Sequence, residues 1–365
     1  MTADADPFRR AGWTTRRLGV VMTPDPGDPN EAMGVCNPAC ARGTDGELYL
    51  FPRLVAAGNV SRVGRARVRF DGAGRPVGVE RLGIALEPEA PWERHAGGGG
   101  VEDPRVTRVA ALDRWVMTYT AWGPLGPRIA LAASADLERW QRLGPVGFAY
   151  DPKVGTDLNL HPNKDALLFP EPVPGPDGRL AFALLHRPMW DLSWSNPAVG
   201  EVPAPGLPDP RPGIWVSYAP VAEVEADPVA LTRLRGHRLV ALPQRPWEAA
   251  KIGGGAPPLR IPEGWLVLHH GVAGRLQPGG AEQDAVRYAA GVLLLDPADV
   301  ARVLARSAEP LLAPELAEER DGVVPNVVFP TAIDPRGNGA ADVYYGMADA
   351  RIGAFRLTLA PLHGT

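Results

Sequence analysis

One strand pattern is written five times along this chain, and that repetition narrows its fold more than any other property. Each copy opens on a short motif around proline or glycine, runs as a strand, turns, returns through a second strand ending in polar or aromatic residues, and closes with a third. The first copy is GVCNPACAR, a turn at Asp45-Gly46, ELYLFPR and VGRARVRF; the second is VEDPRVTRV, a turn near Asp113, WVMTYTAW and PRIALAAS. The third is PNKDALLFP, Asp177-Gly178, RLAFALLHRP and GIWVSYAP; the fourth is GGGAPPLRI, Glu263-Gly264, WLVLHHGV and RYAAGVLLLD. The fifth is PNVVFPTAI, a turn at Gly337-Asn338-Gly339, ADVYYGMA and RIGAFRLTLA. Short alternating strands joined by Asp-Gly type turns are hairpin signals, and such a unit repeated around an axis marks a β-propeller. The 41 prolines and 42 glycines leave little room for long helices. The pattern predicts an all-β chain, a five-bladed β-propeller occupying 1–365 as one domain, with blades starting near residues 34, 101, 162, 253 and 323 and the segment 1–33 closing or packing on it. A β-sandwich also has many short strands but would not repeat the same polar landmarks. The proline-rich stretch 192–212 in the third copy reads as a loop over one face.

In a propeller the first strands line the central channel, so residues at equivalent strand starts converge. They are Asn37, then Glu102, Asp103 and Arg105, then Asn163, Lys164 and Asp165, and last Asn326. The ends of the second strands carry Arg53, Tyr119, His186 with Arg187, His269 with His270, and Tyr344 with Tyr345. The expectation is one polar funnel. A net charge of −4 gives no basic excess, so nucleic acid is not an expected partner. No apolar stretch reaches bilayer length and MTADADPFRR lacks a secretory pattern, so a cytoplasmic protein with no membrane partner is expected. Cys36 and Cys40 on an extended strand would lie roughly 13 Å apart, beyond disulfide reach, and read as buried small hydrophobes. Only three of 38 basic residues are lysine (Lys153, Lys164, Lys251), so a lysine kept against that bias can mark a need for a compact point charge.

The chemistry narrows by residue type. The histidines show no HExxH and no zinc spacing, G-x-S-x-G is absent, and neither Gly97–Gly100 nor KIGGGAPP has the context of a nucleotide loop. No metal and no organic cofactor are expected. What remains is a carboxylate set among basic residues, with tryptophans available as sugar platforms. Inverting glycoside cleavage by water uses two carboxyl groups. Phosphate, already anionic, can attack the anomeric carbon without a base but needs fixed cationic donors to hold it in line. One acid with several cations is therefore the pattern of an enzyme that uses phosphate.

VEDPRVT, YTAW with GPRIALAAS, NKDALLFP, LLHRP, KIGGGAPP, and VPNVVFPT followed by YYGMADARIG together resemble the glycoside hydrolase family 130 mannoside phosphorylases. The resemblance implies a five-bladed propeller and phosphorolysis of a β-1,4- or β-1,2-linked mannoside to α-mannose 1-phosphate, with inorganic phosphate as co-substrate and an oligosaccharide as partner. It puts the general acid on Asp103, acting through the 3-hydroxyl of the mannose, and phosphate binding on Arg128, Lys164, His186, Arg187 and His270. It puts contacts to the mannosyl unit on Asn37, Arg53 and Asp349. Asp165 either orients Lys164 or touches substrate, and Glu102 and Arg105 stiffen the strand start in preference to contacting substrate directly. The chain departs from the family pattern at His269-His270-Gly271, where Tyr-His-Gly is usual, and at Phe51-Pro52-Arg53. A subgroup of inverting β-mannosidases using water and a non-catalytic sugar-binding propeller are the alternative readings; the acceptor sugar and homo-oligomer formation stay open.

Overall fold

The computed structural model describes residues 6–95, 97–193, 198–274 and 286–362. It is a five-bladed β-propeller, each blade an antiparallel sheet built on four main strands. Blade 1 comprises Gly34–Arg42, Leu48–Ala56, Val60–Phe70 and Pro76–Leu86; blade 2 comprises Gly99–Val109, Arg114–Gly123, Gly126–Ser134 and Gln141–Pro145. Blade 3 comprises Asn163–Leu168, Leu180–Pro188, Ile214–Pro220 and Arg233–Ala241, and blade 4 Lys251–Gly254, Gly264–Ala273, Arg287–Leu295 and Val303–Arg306. Blade 5 takes Val328–Gly337, Ala340–Met347 and Arg351–Thr358 from the end of the chain and its outermost strand, Thr14–Met22, from the beginning, paired from Thr14↔Thr358 to Met22↔Ile352. The first strand of blade 1 packs against the first strands of blades 2 and 5, and contacts between neighbouring blades close the ring.

Apolar runs such as ALLF fill the spaces between blades. Successive side chains of a strand point to opposite faces, so Leu168 and Leu184 join Val116, Ile129 and Leu131 between blades 2 and 3, while Leu167 and Leu185 join Val267 and Leu293 between blades 3 and 4. Equivalent clusters fill the other interfaces. Both sheet faces are covered, which is why these strands read as continuous apolar runs. Cys36 and Cys40 are buried and free.

The three strands read in each repeat are thus the inner three of four; the outer strands are short or rich in arginine and glycine, and alternate too weakly to stand out. Those outer strands carry a second repeat. A buried glutamate in the turn before the blade receives an arginine from the blade's outermost strand through paired Nε and Nη2 hydrogen bonds: Glu31 with Arg81, Glu93 with Arg142, Glu248 with Arg306, and Glu319 with Arg17. The same carboxylates cap backbone N–H groups of the turn. In three blades the second strand adds a donor, Tyr119 to Glu93 (2.6 Å), His269 to Glu248 (2.9 Å) and Tyr345 to Glu319 (2.8 Å). Tyr119, His269 and Tyr345 therefore serve these clasps and do not line the channel. Among the described residues no helix is long and apolar enough to cross a membrane.

The stretch 192–212 joins the second and third strands of blade 3 without regular strands of its own; residues 194–197 of it lie outside the described residues.

Candidate active site

Three blades begin in the same irregular way. Asn37, Asp103 and Asp165 hold left-handed backbone, φ of 42°, 46° and 58°. At each, the pairing with the second strand slips by one residue: Cys36↔Arg53 is followed by Ala39↔Phe51, Glu102↔Thr120 by Arg105↔Thr118, and Lys164↔Arg187 by Leu167↔Leu185. These are β-bulges, which bend a strand and re-aim a side chain. Asn and Asp are the non-glycine residues that best tolerate left-handed backbone, so the recurrence of Asn or Asp at the repeat start was the legible trace of the device. Glycine makes the complementary space. A Cβ on Gly346 would strike the Asn37 carboxamide, and one on Gly253 would strike the Asp165 carboxylate and the His270 ring.

The bulges bring two carboxylates into one buried polar centre. Asp103 Oδ1 accepts from Asn37 Nδ2 (2.8 Å) and Arg53 Nη1 (3.2 Å), leaving Oδ2 facing Lys164 Nζ at 3.7 Å. Arg53 also reaches Glu102 Oε1 (2.7 Å) and Ser61 Oγ (2.9 Å). Arg105 bonds the carbonyls of Asp103, Pro104 and Gly255, so Glu102 and Arg105 stiffen the strand start as expected. Burial opposes ionisation of Asp103, but Arg53, Lys164 and Arg105 outweigh it and hold its pKa down at about 2.

The second carboxylate is held through one oxygen, Oδ2, while its Oδ1 is buried without a protein partner. Asp165 Oδ2 accepts from Arg187 Nε (2.7 Å), lies 2.7 Å from Arg187 Nη2 and stands 3.5 Å from His270 Nε2. Burial opposes its charge too, yet Arg187, His270 and Lys164 keep it ionised well below the usual range. Arg187 Nη1 and His270 Nδ1 are buried without a protein partner. Lys251 is singled out in the sequence by the arginine bias, and no motif marks it as a site residue. It opens the first strand of blade 4 on the same strand face as Gly253, with Nζ 5.8 Å from the centre of the Tyr288 ring. Burial, then Arg187 and Lys164, push its ammonium well down. That seat gathers the basic side chains of Lys164, Arg187 and Lys251 around one carboxylate, Asp165.

Not every expected residue joins the centre. His186 turns away from it: Nε2 meets Ser217 Oγ (2.8 Å), Nδ1 meets Asn163 (3.0 Å), and burial pushes the ring far toward neutrality. Neighbouring strand residues face opposite ways, so His186 and Arg187 cannot both point to the axis, and the expectation for His186 is corrected. Arg128 stands at the entrance to blade 3, its Nη1 bonded to the His161 carbonyl; among the described residues no contact links it to either carboxylate. Burial lowers its pKa.

Asp349, also left-handed (φ 49°), completes the Asp103 side. Burial raises its pKa to about 6, with Arg53 and Lys164 pulling the other way and Asp103 and Glu102 adding to the rise. The two carboxyls thus differ in acidity, Asp103 held ionised and Asp349 keeping its proton to about pH 6. The folded protein holds this proton more tightly than the unfolded chain, so its contribution to stability is complete below pH about 4 and is lost as pH rises through about 6, on the order of 2–3 kcal/mol at 1.4 per unit. Asp349→Asn is expected to raise Tm at pH 7 and leave it nearly unchanged at pH 4; calorimetry at the two pH values checks this, and equal shifts at both would contradict the assignment.

A family profile described as β-1,4-mannooligosaccharide phosphorylase, glycoside hydrolase family 130, matches residues 11–186 and 229–362. A 1,2-β-oligomannan phosphorylase from Thermoanaerobacter sp. (strain X514) is 32% identical over 262 residues, covering 70% of this chain and 67% of the relative. A β-1,2-mannobiose phosphorylase from the same organism is 32% identical over 291 residues, covering 78% and 72%. The solved structure of a β-1,2-mannobiose phosphorylase from Listeria innocua, in complex with β-1,2-mannobiose, has a TM-score of 0.68 at 22% identity, covering 94% of this chain and 96% of that one, a likeness of fold.

Proposed function

The chain belongs to glycoside hydrolase family 130, and from that premise we propose that it is an inverting phosphorylase, cleaving a β-linked mannoside with inorganic phosphate to give α-mannose 1-phosphate and a shortened acceptor. A β-1,2 linkage is the first to try, because the two relatives that are 32% identical over more than two thirds of the chain are named for it. The observation that carries the reading is the pairing of the Asp103 carboxylate with a seat of basic side chains. Asp103 presents Oδ2 to Lys164 at 3.7 Å, while Arg187 and Lys251 stand beside Asp165, whose Oδ2 holds Arg187.

In this reading an oxygen of phosphate attacks C1 from the Lys164–Arg187–Lys251 side, the glycosidic C–O bond breaks, and the departing oxygen takes a proton that originates on Asp103 and passes through the mannose 3-hydroxyl. Phosphate also arms the acid. Within the protein itself Asp103 is held ionised chiefly because Arg53 and Lys164 outweigh its burial. A phosphate dianion next to Lys164 cancels part of that attraction and adds repulsion, so the proton affinity of Asp103 rises when the nucleophile is in place. Asn37, Arg53 and Asp349 bind the mannosyl unit, and Asp165 orients Arg187. Arg128 guards the phosphate entrance. Water as nucleophile would need a carboxylate base across from the acid; the cations that hold Asp165 ionised well below the usual range make it a weak base, and Arg53 engages Glu102. No metal or organic cofactor enters.

Incubation with β-1,2- and β-1,4-mannobiose at rising phosphate tests the proposal. Mannose 1-phosphate should form only with phosphate and saturate with it. Cleavage to free mannose at the same rate without phosphate would overturn the reading in favour of a hydrolase; binding without turnover would favour a sugar-binding module.

A further inference from the structure

Blade 3, which supplies Lys164 and Arg187, is the one blade in which no glutamate–arginine clasp is found among the described residues. The equivalent strand positions hold neutral groups instead. His186 on the second strand takes the place of Tyr119, His269 and Tyr345, His237 on the outermost strand takes the place of the arginine, and Ser217 on the third strand lies between them. The distances form a continuous chain: Asn163 Nδ2 to His186 Nδ1, 3.0 Å; His186 Nε2 to Ser217 Oγ, 2.8 Å; Ser217 Oγ to His237 Nδ1, 2.7 Å; His237 Nε2 to the Ala149 carbonyl, 2.8 Å.

Its polarity follows from its last member. A carbonyl only accepts, so His237 Nε2 carries the hydrogen, and in a neutral ring Nδ1 then accepts from the Ser217 hydroxyl. Ser217 Oγ in turn accepts from His186 Nε2–H, and His186 Nδ1 accepts from Asn163. Every group is satisfied with both rings neutral. Burial favours that state for both, and Phe148 packs against the two rings at 4.8 and 5.6 Å. A carboxylate here, beside Arg187, would repel an anion in the seat.

Both ends of the chain reach the cations. Asn163 begins the strand that carries Lys164. Ala149 begins the loop that leads back to it, in which Asn159 bonds both the N–H and the carbonyl of Phe148 (2.9 and 2.6 Å) and the His161 carbonyl holds Arg128.

We propose that Asn163, His186, Ser217 and His237 form a positioning chain for the phosphate seat, fixing the 149–162 loop and, through the His161 carbonyl, the Arg128 guanidinium relative to Lys164. The inference rests on the phosphorylase reading. Ser217→Ala removes the central hydroxyl and should raise the phosphate KM about tenfold while kcat stays within threefold and the mannoside KM within twofold. His237→Gln, whose amide can donate to Ala149 and accept from Ser217, should stay within threefold of the parent for the phosphate KM. A second measurement needs no variant: ¹⁵N spectra of the histidine-labelled protein at pH 7 should show His186 and His237 as neutral Nε2–H tautomers. An unchanged phosphate KM in Ser217→Ala, a fall in kcat with both KM values moved together, or an Nδ1–H tautomer at either ring would overturn the inference. Parent turnover that ignores phosphate would sink the phosphorylase reading and this inference with it, whereas phosphate-dependent turnover with an unmoved phosphate KM sinks this inference alone.

Discussion

Asp103→Asn is expected to lower kcat on a β-linked mannobiose by about 10²–10⁴-fold, the range over which a positioned general acid acts, while the protein folds as before. Asparagine is the informative choice because position 103 sits at φ 46° on a bulge. Asn tolerates left-handed backbone, whereas alanine would add a strain of about 1 kcal/mol to the loss of the acid. The amide keeps the size of the carboxyl, and Arg53 retains Glu102 and Ser61 as partners. What disappears is the acidic proton. The loss should therefore depend on the leaving group. A dinitrophenyl β-mannoside, which departs without protonation, should recover most of the rate in the presence of phosphate, and the ratio of the two substrates across parent and variant measures the proton alone. A variant that kept more than a tenth of the activity on mannobiose would remove Asp103 from the acid's role and move attention to Asp349, the carboxyl that holds its proton to about pH 6.

The architecture is far more legible in the chain than the division of labour inside it. Five blades are readable because each repeats a local hairpin with its own turn, and because runs such as ALLF bury on both sides. Asn37, Asp103 and Asp165 are findable because a bulge needs left-handed backbone and only a few residue types accept it. The clasps escape because their partners stand 50, 49 and 58 residues apart for Glu31, Glu93 and Glu248, and 302 apart for Glu319, on strands too irregular to recognise. Treating His186-Arg187 or His269-His270 as pairs facing one channel ignores the alternation of a strand: one member meets the axis and the other supports the blade. Lys251 shows a different limit. Residue usage flags it as unusual, but only the fold reveals that its strand begins beside Arg187 and Lys164.

Glu248→Ala is expected to destabilise the protein by about 3–5 kcal/mol, the cost of leaving a buried guanidinium without its carboxylate. Glu248 is fully buried and accepts from Arg306 through Nε (3.3 Å) and Nη2 (2.7 Å), from His269 Nε2 (2.9 Å), and from the N–H groups of Gln244 and Arg245 (2.9 and 3.0 Å). Burial works against both charges and lowers the pKa of Arg306. For the carboxylate, His269, Arg306 and the Gln244 N–H outweigh it and hold the pKa at about 2. The pair as a whole need contribute little, because desolvating two ions offsets most of their attraction; removing one member exposes the whole penalty of the other. The double variant Glu248→Ala with Arg306→Met should therefore recover part of the loss, which denaturant titration of the single and double variants measures. The sign with pH follows from the depressed carboxylate: its contribution is present above the unfolded value near 4.5 and is lost as pH falls toward about 2. In acid the difference between parent and Glu248→Ala should narrow, and a gap that stayed constant from pH 7 to pH 3 would mean that the clasp stabilises by packing and backbone capping, with its charge contributing nothing.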